Sequence, residues 1–362
     1  MPRESRYNGK DNRISGISND QVCVIVAIDE HDELIIKVVG MKKIIPIFVI
    51  VAFFITFFAV IKNNKPKKTE LTKVKVAEVT HSLFYTPMYI ADKLGYFKDN
   101  GLDVEIILTS GADKVASAVI SKDVQIGFCG SEQTVYIYNR GAKDYLINFA
   151  GSTKKDGSFI ISRENDNDFS LEKLNGKTIL GGRNAGMPAM TLNYTLNQNK
   201  IDAKVDTSVD FANLSGAFIG GNGDYVTLFE PTALNLEKNK QGYVVKSVGE
   251  IGGEVPYTTF NALKSYIDNN PEVIKSFRKS INQGIEYTKK HTDEELAQLL
   301  IDYFPDTSLN DIAVVIKRYR EIDSWYDSTI ITKEGFEHMQ DIVEYNGFLE
   351  KRVDFNKLVI NE

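Results

Sequence analysis

With 362 residues the chain can hold about two domains of the usual ~150-residue size. A net charge of -6 without any Lys/Arg-rich stripe argues against a phosphate-backbone partner, so no nucleic acid is expected. Cys23 and Cys129 lie outside CxxC or Cys/His spacing, and HExxH, GxxxxGK[ST] and GxSxG do not occur, which leaves neither a zinc or disulfide framework nor a familiar catalytic motif. Each cysteine reads as a small buried hydrophobe, and no cofactor or metal is expected.

The first forty residues differ from the rest. QVCVIVAIDEHDELIIKVVG reads as a hairpin, two β-branched runs around the polar turn DEHDE. The stretch SRYNGKDNRISGISNDQVCVIVAIDEHDE resembles part of an insertion-sequence transposase of the DDE type, over residues 3–39 only. The remaining acidic residues of that fold are missing, so Asp29 carries no catalytic role. Residues 1–40 are expected to be such a fragment or a misread start ahead of Met41. Met-Lys-Lys at 41–43 then leads into an apolar run that opens at Ile44 and closes at Ile61, followed by a basic polar stretch. At ~1.5 Å per residue such a run spans ~27 Å, enough for a bilayer core. Residues 41–62 are therefore a signal or membrane anchor, with an uncleaved anchor favoured because no A-x-A-like site and no lipid-bearing cysteine follow. The protein is expected at the extracytoplasmic face of the cell membrane, anchored or secreted, with 63–72 as linker.

From Thr72 onward short strands alternate with helices, the grammar of an α/β fold with largely parallel sheets. KVKVAEV is the first strand; Thr86 and Pro87 read as N-cap and N1 of the next helix, and Gly95 as its stop. LDVEIIL, VQIGFCG and YLINFAG supply further strands, with helices over 111–121 and SEQTVYIYNRG between them. KTILGG, GMPAMTLNYTLNQN, KVDTSV, FANLSGAFIGG, DYVTLFE and TALNLEKNK repeat the alternation. EVPYTTFNALKSYI reads as a return strand, after which the chain is almost wholly helical. Lobe 1 is expected from 73–162 and 259–358, with the late helices packed back on it, and lobe 2 from 163–258.

In open parallel sheets ligands bind beyond the carboxyl ends of strands, where helix N-termini aim unpaired N–H groups. The polar strand-to-helix turns are Thr80, His81 and Ser82 with nearby Tyr85; Ser110, Gly111 and Ala112; Gly130, Ser131 and Glu132; Arg183, Asn184, Ala185, Gly186 and Met187; and Phe229 with Glu230. Each has a bland alternative: the serines as caps, Glu132 and Glu230 as partners of a helix dipole, Arg183 as a loop anchor, His81 as a surface residue, Tyr85 and Phe229 as core. Their coincidence at equivalent turns of both lobes favours one shared cleft. No nucleophile stands at an orienting distance from a base, so capture by closure fits better than chemistry, and no enzyme is expected.

TPMYIADKLGYFKDNGLDVEI, QIGFCG with SEQTV, LNGKTILGGRNAGMPAM and YVTLFEPTA together resemble the solute-binding proteins of ABC importers in the nitrate/sulfonate/taurine and thiamine-pyrimidine-precursor group. The resemblance implies a type II periplasmic-binding-protein fold with a two-stranded hinge, and ligand contacts at the first four turns. It also implies delivery of a small molecule to a membrane permease with its ATPase, and we expect a monomer. A nitrogen-bearing aromatic such as a pyrimidine vitamin precursor suits the acidic turns. An organosulfonate, taurine or nitrate remains the alternative, held by Arg183 and helix N-termini, and a pyrimidine-precursor synthesis enzyme is a third. No tryptophan follows the first strand, where the pyrimidine-precursor binders have one.

Overall fold

The computed structural model describes residues 70–361 except Ser110, together with the backbone of two strands nearer the start. The chain divides into Met1–Thr69 and Glu70–Glu362. In the first unit, β1 (Cys23–Ile28) and β2 (Leu34–Val39) pair antiparallel, the hairpin expected around DEHDE. The apolar run 44–61 lies outside the described residues, as does the rest of the transposase-like segment. Among the described residues no helix is long and apolar enough to cross a membrane.

The second unit is built on two five-stranded sheets. One has the order β4–β3–β5–β12–β6, from β3 (Thr72–Glu78), β4 (Leu102–Leu108), β5 (Ile126–Cys129), β6 (Leu146–Thr153) and β12 (Thr258–Leu263). The other runs β11–β7–β10–β8–β9, from β7 (Ser158–Ser162), β8 (Thr178–Leu180), β9 (Lys204–Asp206), β10 (Tyr225–Phe229) and β11 (Tyr243–Ser247).

The largely parallel sheets expected from the alternation are interrupted in both lobes. β12 lies antiparallel between β5 and β6, and β7 antiparallel between β10 and β11. Both strands follow directly on a crossing between lobes, without a helix in between, so they start where the parallel strands end and must run the other way. β7 therefore belongs to the second sheet, and the first crossing falls at 154–157, short of the boundary expected at 162. The two crossings pair with each other, Val255 N donating to Lys154 O and Tyr257 N to Thr153 O, each at 3.0 Å, which makes the two-stranded hinge.

The first helix, α1 (Thr86–Lys93), ends where Gly95 adopts a left-handed φ of +76°, the stop read from sequence. Its start differs from expectation. A 3-10 turn, Leu83–Tyr85, comes first and is capped by Ser82, whose Oγ accepts from Phe84 N at 3.2 Å, while the Thr86 hydroxyl donates back to Leu83 O at 2.7 Å. The short α2 (Tyr96–Asp99) buries Phe97, whose ring lies 5.1 Å from Phe277. Phe277 belongs to the long late helix Pro271–Lys290, which crosses α1 so closely at Gly284 that a Cβ there would stand 2.1 Å from Pro87 O. An aromatic column continues through Phe260 and Phe128, stacked at 4.2 Å, into the sheet.

The late helices do not pack on the first lobe alone. Asn346, closing helix Lys333–Tyr345, donates to Met190 O of the second lobe at 3.0 Å. On helix Leu309–Glu321, Arg318 donates to Glu230 at 2.5 Å and also to Glu237, while Asp311 pairs with Lys238. The Glu230 side chain is wholly buried, so its charge depends on this partner. A single ammonium cannot span both glutamates as the guanidinium fork does, and Arg318→Lys should therefore cost about 1–2 kcal/mol in urea denaturation.

Candidate functional site

The candidate residues divide into an inner set and an outer set. Tyr85 and Phe229 both flank the Phe84 ring, and Glu132, next to Ser131, lies close enough to Tyr85 for its charge to act on the phenol. The Phe84 ring is the hub, 5.7 Å from Tyr85, 6.1 Å from Phe229, 5.9 Å from Tyr257 and 4.8 Å from Tyr319. Close approach is possible because residue 157 of the first crossing is glycine: a Cβ there would stand 2.8 Å from the Phe84 ring. Tyr85 is buried against Phe128, its hydroxyl facing Thr258 of the return strand, and burial holds that phenol protonated far above its ordinary range.

Glu132 opens the helix Glu132–Asn139 and is only 4% exposed. Its Oε1 accepts from Gln133 Nε2 at 3.1 Å, while Oε2 has no hydrogen-bond partner. The carboxylate folds back over Gly130, where a Cβ would lie 2.1 Å from Oε2, so a side chain at 130 would displace it. Burial pushes its pKa up, with Gln133 opposing. Ser131 does not cap this helix: its backbone is already helical and its buried Oγ is likewise unbonded. Tyr136, one turn along, presents a third unbonded oxygen.

Two residues absent from the sequence-based set complete this inner group. Asp156, on the first crossing, is 1% exposed; Oδ1 accepts from Ser158 N at 2.7 Å and from Ser158 Oγ at 2.5 Å, and Oδ2 is unbonded. Burial raises its pKa to about 6, against the pull of the Ser158 bonds and of a hydrogen bond with the Tyr257 hydroxyl. Tyr257, on the second crossing, turns its hydroxyl toward Asp156; burial keeps that phenol protonated, helped by the negative charges of Asp156 and Glu132. The charges of both carboxylates thus act on the Tyr257 hydroxyl. The only local hint of Asp156 is the Lys-Asp-Gly turn, and its pairing with residues a hundred positions on is invisible in a linear reading.

The outer set takes other roles. Thr80 is exposed and Ser82 is spent as a cap. His81 is tied down: Nδ1 lies 2.9 Å from Glu78 and 3.0 Å from Tyr89 Oη, Nε2 lies 2.9 Å from Tyr303 O, and the ring stacks on Phe304 at 4.6 Å. Gly111 and Ala112 lead to Asp113, which faces Arg183 of the other lobe at 3.8 Å. Arg183 and Asn184 are exposed, Ala185 has an unusual φ of +59°, Gly186 is half-buried and Met187 is core of the second lobe. Glu230 is held by Arg318 and Leu234 N. Ser110 lies outside the described residues.

The hydrogen bond that His81 Nδ1 donates to Glu78 raises the His81 pKa, with burial opposing it. Because the folded value is raised, the stability this imidazole adds is fully present below the unfolded value of about 6.5 and fades as pH rises through the folded one. Thermal melts should show wild type ahead of His81→Gln at pH 5.5, with the gap closing by pH 8.5.

The cations that reach inward are already engaged: Lys154 with Asp323 at 2.9 Å and with Asp327, and Arg318 with its two glutamates. What the inner residues offer is aromatic surface, with Glu132 Oε2 left without a hydrogen-bond partner. Cys129 is no nucleophile, since burial, with the charge of Glu132 adding to it, pushes its thiol up to about 12.

Two mixed α/β lobes, each on a five-stranded sheet and joined by a pair of crossing segments, define the type II periplasmic-binding-protein fold. The alkanesulfonate-binding protein SsuA from Xanthomonas axonopodis pv. citri, bound to MOPS, superposes with a TM-score of 0.63 at 13% identity, over 81% of this chain and 99% of its own. The nitrate-binding protein NrtA from Synechocystis PCC 6803 superposes with a TM-score of 0.61 at 16% identity, over 80% of this chain and 86% of its own. At such identities these share the fold alone. YtlA of Bacillus subtilis (strain 168), named for an inferred binding role, is 42% identical over 296 residues, 81% of this chain and 89% of that protein. The family described as NMT1/THI5 like matches residues 84–295, more than half of the sequence, and the chain belongs to it.

Proposed function

We propose that this protein is the extracytoplasmic solute-binding component of an ABC importer. It captures a small nitrogen-bearing aromatic, of the kind of a pyrimidine vitamin precursor, by lobe closure and delivers it to a permease coupled to a cytoplasmic ATPase. It acts as a monomer, held at the outer face of the membrane by residues 41–62. The observation that carries the ligand class is Glu132: a buried carboxylate with one oxygen unbonded, beside Tyr85 and Tyr136, is costly unless a donor arrives to meet it. A ring amino group supplies that donor while the ring fills the aromatic wall.

The anion reading draws on the relatives that bind an alkanesulfonate or nitrate. It is disfavoured by the inner pocket, where a sulfonate would meet two carboxylates. Arg183, the cation offered for it, has a side chain 62% exposed and turned toward Asp113. The enzyme reading would need a base and a nucleophile, and His81 and Cys129 are respectively tied down and unreactive.

A thermal-shift panel of aminopyrimidines, alkanesulfonates, taurine and nitrate on the full chain tests the reading. A ligand at a hundredfold excess over its Kd stabilises by about 2.7 kcal/mol, so an aminopyrimidine should give a clear shift. A shift by a sulfonate or nitrate with none from any aminopyrimidine would reverse the choice.

A further inference from the structure

We propose that the arm from Leu309 to Tyr326 is a third element of the hinge, which stays attached to both lobes while the cleft opens at the far edge, where Asp113 faces Arg183. The inference rests on capture by lobe closure and says where that motion pivots.

The end of the arm adds a segment to the crossings. Residues 324–326 run along the first of them: Lys154 N donates to Ser324 O at 2.7 Å, Tyr326 N donates to Ser152 O at 3.1 Å, and Thr153 bridges Trp325 antiparallel. The second crossing already pairs with Lys154 and Thr153 through Val255 and Tyr257, so the first has backbone partners from two segments. Side chains repeat the attachment, with Lys154 Nζ 2.9 Å from Asp323 and Lys155 Nζ donating to Ile322 O at 2.9 Å. Backbone bonds of this kind are costly to leave unmade, so the three segments bend as one.

The body of the arm, helix Leu309–Glu321, holds both lobes. Arg320 anchors it to the first through Asp293 at 2.8 Å and His291 O at 3.0 Å. Arg318, two positions earlier and so on the other face, donates to Glu230 and Glu237 of the second lobe. There Asp311 also pairs with Lys238, and Glu230 N donates to Tyr319 Oη at 3.2 Å. The Glu230 side chain is wholly buried, so parting it from Arg318 strands a charge and is strongly disfavoured. Asp113 and Arg183, with side chains 64% and 62% exposed at 3.8 Å, make a pair that water replaces at little cost. The two contacts are also far apart. β4, which leads to Asp113, and β6, which leads to the first crossing, are the outer strands of their sheet, about 19 Å apart at ~4.8 Å per strand. Rotation about the arm therefore moves the Asp113 edge most.

The test is pulsed dipolar spectroscopy on the full chain with Cys23 replaced by serine. One spin label sits at Ile219→Cys in the second lobe; the other sits in the first, at Ile120→Cys on the helix that carries Asp113 or at Leu309→Cys at the start of the arm, all three exposed positions. Asp113→Lys sets two cations against each other at the edge. It should lengthen the 120–219 distance by roughly 5 Å, what a hinge rotation of ~15° gives at ~19 Å from its axis, and leave the 309–219 distance within about 1 Å of wild type. Arg318→Met combined with Glu230→Gln and Glu237→Gln removes the ion pairs of the arm without stranding a charge, and the 309–219 distribution should then broaden. A 309–219 distance that moves with D113K as far as 120–219 does, a D113K that moves neither, or a triple variant that keeps 309–219 narrow overturns the inference. If the triple variant does not fold, D113K decides alone, since its side chain is on the surface. None of these distances requires a ligand, so failure here leaves the capture reading to the thermal-shift panel.

Discussion

Glu132→Gln should lower the affinity for an aminopyrimidine by roughly a hundredfold, as calorimetry would measure it, while the unliganded protein melts no lower than wild type at pH 8. The affinity falls because the amide replaces a charged acceptor with a neutral group, one end of which is itself a donor aimed at the ligand's donor. The stability does not fall because the carboxylate is a cost to the empty protein. Burial raises its pKa, so what this group contributes to stability is fullest below the ordinary carboxylate range and is lost as pH rises through the folded value. The substitution removes that loss, and E132Q should gain on wild type between pH 5 and pH 8. A variant with unchanged affinity would place the ligand elsewhere.

Phe97→Ala should do the reverse. The ring is 2% exposed and packs on Phe277 of the long helix, which also touches Phe149 and Phe260. Its removal leaves a cavity under the first helix pair, with an expected loss of about 3–5 kcal/mol in denaturant unfolding. Ligand affinity, measured well below the melting temperature, should stay within about threefold of wild type, because the Phe97 ring packs against Phe277 of the long helix. Binding loss at unchanged stability would contradict that division.

The contrast between Phe97 and Glu132 shows what a linear reading can reach. The Gly-Tyr-Phe-Lys run identifies the family and stops the first helix, because a left-handed glycine and a buried aromatic leave strong local marks. The strands and most helices were legible for the same reason: alternation, caps and Pro188 act within a few residues. Direction was harder. β7 and β12 look like the other strands in composition, yet their antiparallel course follows from where the chain crosses between lobes.

Among the candidate residues, Tyr85, Ser131, Glu132 and Phe229 were visible because they stand at strand ends or helix starts. His81 was visible for that reason too, but Tyr303 O, 222 positions later, claims its ring. Glu230 is likewise claimed by Arg318. Asp156 and Tyr257 were not visible, because they meet only where the two crossings come together, about a hundred positions apart in sequence. The buried face of a hinge has no periodicity of its own.

Capture by closure of a donor-bearing ring is the central claim, and interlobe distance reads it directly. Spin labels at Ile120→Cys in the first lobe and Ile219→Cys in the second use two exposed helix ends, with Cys23 replaced by serine and Cys129 left buried. Pulsed dipolar spectroscopy should show a shorter, narrower distance distribution when an aminopyrimidine is added and no change with an alkanesulfonate. A distribution that ignores the aminopyrimidine, or that shifts with the sulfonate instead, would contradict the account.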